Sequence, residues 1–355
     1  ITFASVTDNA QSYALTLGSI AQTGSISILG NATIATLSTA AGGYDLSLLG
    51  TTTTIDTSTS FTNTGNLTLG GAGDTLTFVG GLDSTGGPAV TRIGGTIQTT
   101  DSGLFLGSTL LIANATVGSG SGSLELGDTT DAANAFVLGL GTAGQTGSVK
   151  VQGNLAVDAI ETVSSAYALS LLGTTTTVSQ PATFINTGTV TLGDAVTDVI
   201  TFTGGVNTVA AAGTELAGAL KSTNAPIELG VTTLKASSSI VSGSGSINLA
   251  GLTDGASSFA LELGSVGQTG AATISGNVTI DTLATAAGSY SVSLLGTTTT
   301  IDTATSFLNK GPVTLGGAGD TVTFKGGLTT TAGPSGTNVG GTIVTTNKAM
   351  TLGAT

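Results

Sequence analysis

The sequence contains no cysteine, no histidine and no tryptophan, and it has only one methionine and five prolines among 355 residues. Without cysteine there is no disulfide framework, so stability must come from hydrogen bonding and burial. Seven basic residues stand against 20 acidic ones, which gives a net charge of −13. Because phosphate binding needs clustered lysine and arginine, we expect no nucleic-acid partner.

Charged residues of both signs are scarce, at 8% of the chain, against roughly 25% in an ordinary soluble domain. Apolar residues make up 39%, and 56 residues are glycine, a composition that favours neither disorder nor helix. No run of about 18 apolar residues occurs, so no membrane span is expected in this segment. The chain begins at Ile1 without a signal peptide and stops inside a repeat, which leads us to expect a longer parent protein.

An internal repeat organises the chain. The octapeptide SLLGTTTT returns at a constant offset of 123 residues, at Ser47–Thr54, Ser170–Thr177 and Ser293–Thr300. No linker composition separates the copies, so we predict one continuous rod over 1–355. Its repeats are repeat one (1–123), repeat two (124–246) and the incomplete repeat three (247–355).

A shorter period lies inside each repeat. Triplets that read apolar, polar, apolar are closed by glycine, as in Leu67 to Gly70, and this alternation is typical of short half-buried strands. Gly30, Gly50 and Gly70 are 20 residues apart. The pattern predicts an all-β, parallel β-solenoid with about 20 residues per coil, about six coils per repeat and a length on the order of 80 Å.

The same alternation predicts which side chains form the core. One residue of slippage would invert the whole set. We expect Leu17, Leu48, Leu69, Phe78 and Leu126 to point inward, and Thr16, Ser47, Thr68 and Glu125 to point outward.

Glycine and asparagine recur together at predicted corners. Gly30-Asn31, Gly153-Asn154 and Gly276-Asn277 are in register with the repeat. Both residue types tolerate a positive φ, so the pattern predicts sharp corners built on left-handed backbone.

The segments Asn63 to Leu82 (NTGNLTLGGAGDTLTFVGGL) and Ile185 to Gly205 (INTGTVTLGDAVTDVITFTGG) resemble the strand repeats of giant filamentous-haemagglutinin-like adhesins and autotransporter passengers. The resemblance extends over essentially the whole chain. It implies a right-handed parallel β-helix that is exported across the outer membrane of a diderm bacterium and displayed at the cell surface. The adhesive motif Arg-Gly-Asp is not found, so no functional residue is carried over.

Two aspartate patterns are candidates for a binding or catalytic site. The stretches ending in Asp74 and Asp320 (GGAGD) are similar to a calcium-binding nonapeptide, but the spacing differs by one residue, and solvated turn carboxylates are expected instead. Asp56 and Asp302 align, yet Ser179 replaces them in repeat two, so no catalytic carboxylate cluster is predicted. We therefore predict no enzyme and no catalytic, cofactor-binding or metal-binding residue. The glycosylation sequons are expected to be chance products of a threonine-rich composition, at Asn31, Asn66, Asn114 and Asn277.

These observations predict a structural, non-enzymatic extracellular fibre or adhesin stalk that gives reach, stiffness and surface contact. Its expected partners are its own copies, laterally or end to end, or a host or neighbouring cell surface. A self-polymerising matrix or sheath filament is the main alternative. Less favoured are an ice-binding threonine face, a carbohydrate-active β-helix and tandem immunoglobulin-like sandwiches, the last because core tryptophan and linkers are missing.

Overall fold

The computed structural model describes all 355 residues, and it contains 43 short β-strands and no helix. Strands of successive coils pair in parallel, in about 17 coils of roughly 21 residues each. The predicted parallel β-solenoid is therefore confirmed. The chain divides into two compact bodies, the first comprising residues 1–173 and 185–188, the second residues 174–184 and 189–355.

The first body contains the strands β1 to β22. Most are two to four residues long, because each coil has to turn after a few residues. They are β1 Thr2–Phe3, β2 Val6–Thr7, β3 Ala14–Leu17, β4 Thr23–Ile28, β5 Ala32–Ile34, β6 Thr36–Thr39, β7 Gly43–Leu48, β8 Thr52–Ile55, β9 Thr59–Ser60, β10 Leu67–Leu69, β11 Thr75–Phe78, β12 Leu82–Asp83, β13 Thr91–Thr99, β14 Leu104–Leu106, β15 Thr109–Gly118, β16 Leu124–Leu126, β17 Thr129–Thr130, β18 Val137–Leu140, β19 Val149–Val151, β20 Leu155–Val157, β21 Ala159–Thr162 and β22 Leu169–Leu171.

The second body contains the strands β23 to β43. Its longest strand, β29, continues around two corners without interruption. The strands are β23 Thr175–Val178, β24 Ala182–Thr183, β25 Val190–Leu192, β26 Val199–Phe202, β27 Val206–Asn207, β28 Thr214–Lys221, β29 Ile227–Val241, β30 Ile247–Thr253, β31 Ala260–Leu263, β32 Ala272–Ile274, β33 Val278–Ile280, β34 Thr282–Thr285, β35 Val292–Leu294, β36 Thr298–Ile301, β37 Thr305–Ser306, β38 Val313–Leu315, β39 Thr321–Phe324, β40 Leu328–Thr329, β41 Thr337–Val339, β42 Thr342–Thr345 and β43 Met350–Thr351.

The apolar residues of the triplets form the core of each body. In β10, Leu67 and Leu69 are fully buried while Thr68 between them faces outward and is half-buried. Burying such a leucine contributes about 1.5–3 kcal/mol, and the neighbouring coils repeat the contribution. The predicted register is confirmed: Leu17, Leu48, Leu69, Phe78 and Leu126 are buried, and Thr16, Ser47, Thr68 and Glu125 face outward.

Each coil of the first body has three sides, and equivalent residues of successive coils pair into three ladders. We name each ladder after one outward residue. The Ser47 ladder consists of Ser27, Ser47, Thr68, Arg92, Leu110, Thr130 and Ala156. The Thr54 ladder contains Thr33, Thr54, Thr77 and Gln98, and its side continues through Thr116, Gly139 and Glu161. The Phe105 ladder consists of Ser60, Asp83, Phe105, Glu125, Lys150 and Ser170.

The sequence repeat does not equal a whole number of coils. Starting at Ser47, the ladder reaches Ala156 after five coils. The chain then advances by two sides, first to β21 and then to β22, which holds Ser170. One repeat thus spans five and two-thirds coils, slightly fewer than the six expected from glycine spacing alone. Ser47 and its repeat counterpart Ser170 consequently lie on different sides of the solenoid.

The second body shows the same rotation. Thr191 pairs with Glu215 and begins a ladder that continues through Thr233, Thr253, Thr279, Thr300 and Thr323. Its counterpart 123 residues later, Thr314, belongs to a different ladder, in which it pairs with Ser293. Each repeat therefore places its side chains one side further around the coil.

The glycine-asparagine corners form as predicted but for a different reason. None of the three pairs has a positive φ. A Cβ at Gly30 would instead lie 2.0 Å from the Ala4 carbonyl oxygen, and one at Gly276 would lie 1.8 Å from the Ala250 carbonyl oxygen. Glycine is required there because adjacent coils approach too closely for any side chain.

Because the repeat is locally continuous, we expect deletion of residues 124–246 to leave a folded solenoid. The deletion joins Ser123 to Ile247, and Ser246 normally precedes Ile247, so the local sequence is preserved. Far-UV circular dichroism per residue should be unchanged, and thermal unfolding should remain cooperative within a few degrees of the parent.

Deletion of residues 134–246 serves as the control. It joins a corner residue, Ala133, directly to β30 and breaks the strand pairing. This variant should lose cooperative unfolding. Equal stability of the two deletions would contradict the assignment of the repeat.

Candidate functional site

The carboxylates suspected of binding calcium fold back onto their own turns. The Asp320 Oδ2 atom accepts a hydrogen bond from the Gly317 N–H at 2.6 Å. In repeat two, Asp198 Oδ2 accepts from the N–H groups of Asp194 and Ala195, both at 2.9 Å. Calcium takes six to eight oxygen ligands, whereas these oxygens close a corner. Asp74 occupies the same corner in repeat one, where its carbonyl accepts from the Thr96 N–H at 2.7 Å.

The aligned pair Asp56 and Asp302 lies on the exposed surface. Asp302 Oδ1 is 2.8 Å from Lys325 Nζ, and both side chains are about half exposed, at 49% and 50%. An exposed ion pair contributes about 0–1 kcal/mol. Its role is that of a surface contact between neighbouring coils.

Two of the four sequon asparagines, Asn31 and Asn277, hold corners together. Asn31 Oδ1 accepts from the Thr51 hydroxyl at 3.0 Å and from the Thr52 N–H at 3.1 Å, one coil later. Asn277 repeats the arrangement with Thr297 and Thr298. These asparagines therefore satisfy backbone donors where a strand begins. The signal for this role was their fixed position directly after the corner glycine.

Three buried tyrosines, Tyr44, Tyr167 and Tyr290, occupy equivalent places in the core. The Tyr44 hydroxyl donates to the Leu17 carbonyl oxygen at 2.8 Å and accepts from the Ala40 N–H at 3.1 Å. Each ring thus buries its apolar body while its hydroxyl satisfies backbone groups at a corner. These are structural residues, although buried polar side chains often mark functional sites.

A buried asparagine accompanies each tyrosine. Asn63 Nδ2 donates to the Tyr44 carbonyl oxygen at 3.2 Å, and Asn186 and Asn309 make the same contact in their repeats. The Oδ1 atoms of all three asparagines have no hydrogen-bond partner. Leaving a buried acceptor unpaired costs about 1–3 kcal/mol. The hydrogen bond from each Nδ2 to the backbone must therefore stabilise the corner enough to offset this cost.

In each repeat an aspartate braces the six-residue corner that it begins. Asp131 is 3% exposed, and its Oδ2 accepts from the N–H groups of Phe136 at 3.1 Å and Asp158 at 3.0 Å. The equivalent Asp8 and Asp254 make the same link to the following coil. An aromatic residue follows each aspartate after five positions, as Phe136 follows Asp131, and the carboxylate fixes the corner that carries it.

Outward threonines are more extensive than the repeated Thr51 to Thr54 run suggested. In the first body Thr52 pairs with Thr75 and Thr54 pairs with Thr77, so two adjacent coils both present two threonines. In the following coil Thr96 continues the row of Thr52 and Thr75, whereas Gln98 succeeds Thr77 in the other row. The Thr75 to Thr77 triplet was the sequence signal for this extension.

One surface of the first body departs from the repeated pattern. Phe105, at the centre of β14, is the only aromatic side chain at an outward position of any strand, and it is half-buried. Its counterparts in the other repeats are Glu228 and Thr351. The ring packs against Gly103, where a Cβ would lie 2.4 Å from the ring Cε2 atom.

A groove of about 310 Å³ lies beside this ring, lined by Thr85, Phe105, Gly107, Glu125, Gly127 and Gln152. A second groove, of about 400 Å³, begins at the next residues along the chain and is lined by Val90, Ser108, Leu110, Asp128, Thr130 and Ala156. Sequence reasoning missed this surface. Its only signal was an aromatic residue where other triplets carry a polar one.

Replacement of Tyr167 by phenylalanine should destabilise the protein by about 1–3 kcal/mol. The variant removes the hydroxyl that donates to the Leu140 carbonyl oxygen at 2.6 Å and accepts from the Val163 N–H. Urea unfolding of Tyr167→Phe measures the loss. The matched variant Tyr13→Phe, at a residue that is 66% exposed, should unfold like the parent.

The buried tyrosines also predict alkaline sensitivity. Burial raises the pKa of Tyr290 to about 12, and it raises the pKa values of Tyr44 and Tyr167 above their ordinary value. Between pH 10 and 12 the unfolded chain therefore binds fewer protons than the folded one, and stability falls as pH rises. The slope should reach at most about 1.4 kcal/mol per pH unit for each tyrosine.

Urea midpoints measured from pH 9 to pH 12 test this sensitivity. The stabilising contribution of the buried tyrosines should be fully present below pH 10. Tyr290→Phe should reduce the slope of stability against pH above pH 10. An unchanged slope after replacement of all three tyrosines would contradict the explanation.

No helix of the structure is long and apolar enough to cross a membrane. No group of three or more aspartate and glutamate side chains comes together in a way that could hold a metal ion. Comparison with known proteins finds no matching family model, no matching curated protein and no matching solved structure.

Proposed function

We propose that this chain is a structural, non-enzymatic segment of an extracellular fibre or adhesin stalk. The observation that carries the proposal is the unbroken coil-to-coil pairing within each body, in which nearly every strand serves both the preceding and the following coil. A chain folded in this way resists extension, because pulling must break whole sets of parallel hydrogen bonds together. The resemblance to adhesin repeats supports the same role.

The disposition of polar groups favours a structural role over catalysis. The buried carboxylates, hydroxyls and amides of the repeats bond to backbone groups at corners, as Asp131 and Tyr44 do. A catalytic site would need some of these groups to face substrate. The outward surface instead consists mainly of short hydroxyl side chains and an excess of acidic residues, which suits a solvated fibre.

Immunogold labelling of the native host with antibodies against this segment tests the proposal. We expect label outside intact cells and its removal by external protease without lysis. Antibodies against an inner-membrane protein control for cell integrity.

Label confined to the interior of the cell would overturn the proposal. Label released from cells as free filaments, with no cell-attached fraction, would favour the self-polymerising sheath instead of the stalk.

A further inference from the structure

We propose that the two adjoining grooves beside Phe105 form a binding site for an uncharged polysaccharide strand. We name this surface the Phe105 groove and define it by the residues that line the two cavities. The inference goes beyond the stalk function and holds whether or not the segment is displayed on a cell.

The groove arises because two glycines replace side chains on consecutive coils. Gly107 and Gly127 follow the buried residues Leu106 and Leu126, which pair directly. Phe105 and Glu125 stand along one side of the glycines, and Gln152 lies on the following coil. The result is a trough with an aromatic ring, a carboxylate and an amide along its edges.

These three groups match the chemistry of a pyranose ring. The apolar C–H face of a sugar packs on an aromatic ring, while its hydroxyls donate to a carboxylate and both donate to and accept from an amide. A cavity of about 310 Å³ is at the lower end of the range for small-ligand sites. The second cavity, of about 400 Å³ and lined by Leu110, Thr130 and Ala156, lies around the corner on the neighbouring side of the coil. It would hold further sugar residues of a strand that follows this corner.

Other occupants fit this surface less well. A peptide strand cannot add to it, because the backbone groups of β14 already bond to adjacent coils, as in the Leu104 N–H to Ser123 and Ser84 N–H to Phe105 contacts. The chain carries a net charge of −13, and Glu125 and Asp128 are the only charged residues that line the two grooves. Lys150 Nζ lies 3.9 Å from Glu125 Oε1 and offsets part of this negative charge. The remaining excess of carboxylates favours a neutral glycan over an acidic one.

The repeats supply an internal comparison. Core residues such as Leu48, Leu171 and Leu294 recur unchanged, whereas the groove residues Phe105, Leu110 and Gln152 become Glu228, Thr233 and Ser275 in repeats two and three. Nothing in the packing of a coil requires an outward phenylalanine, since the fold is maintained without one elsewhere. The difference between these repeats is therefore concentrated at one surface and not in the scaffold.

The test uses the 355-residue chain with cellohexaose, maltohexaose, laminarihexaose and hexagalacturonate as probes. Isothermal titration gives affinities, and saturation-transfer NMR irradiated at the aromatic protons identifies contact with a phenylalanine ring. We expect at least one neutral hexasaccharide to bind and the acidic one not to bind. Phe105→Leu should weaken binding by about tenfold or more.

A second variant keeps the test independent of any effect on folding. A Cβ at Gly107 would lie 3.3 Å from the Ser84 carbonyl oxygen, a tight contact that a small shift of the backbone relieves. Gly107→Ser should therefore fold while filling the trough, and far-UV circular dichroism checks that it does. The substitution should also abolish binding. Thr300→Ala, at an outward threonine of the second body, is the matched control and should bind like the parent.

Four outcomes would overturn the proposal. They are the absence of binding by every neutral probe at millimolar concentration, equal binding of hexagalacturonate, unchanged affinity in both groove variants, and a shift to smaller species for Phe105→Leu in sedimentation. The last would identify the groove as a contact between copies of the chain.

Discussion

The parallel hydrogen bonding of each coil to the next is the constraint on which the rest of the structure depends. A strand of three residues such as Leu67–Leu69 has no stability alone, so it must pair on both sides at the same height. Differences in coil length are therefore confined to corners: the step from Arg92 to Leu110 takes 18 residues, and that from Thr130 to Ala156 takes 26. The buried tyrosines, asparagines and aspartates sit at those corners because the backbone there lacks ladder partners.

The repeat and the coil have different periods, and this difference decides where surface features fall. Since one repeat spans five and two-thirds coils, each copy of a motif is displaced to the next side of the solenoid, as Ser47 and Ser170 show. Duplication of a repeat therefore does not build a longer stripe of the same chemistry. It distributes that chemistry around the axis and leaves each side with a mixture of outward residues.

The strands and the core could be predicted from the sequence because each triplet indicates both. The alternation of Leu67, Thr68 and Leu69 indicates a strand, and the two leucines mark its inward face. The number of coils per repeat could not be predicted, because it depends on how many residues each corner contains. The reason for the corner glycines was also inaccessible, because the clash between Gly30 and Ala4 involves residues far apart in the chain. The Phe105 groove needed the pairing that sets Gly107 beside Gly127.

Selection on this chain acts differently on its two faces. A substitution at an inward position disturbs the coils above and below it, which keeps residues such as Leu48, Leu171 and Leu294 identical in all three repeats. An outward residue contacts only its ladder neighbours and solvent, so the scaffold leaves it free to change. Outward residues that differ between repeats are therefore the positions at which the chain can acquire binding without loss of the fold. The large apolar ring of Phe105 also remains partly exposed to water. This exposure is unfavourable, and contact with a ligand would remove it.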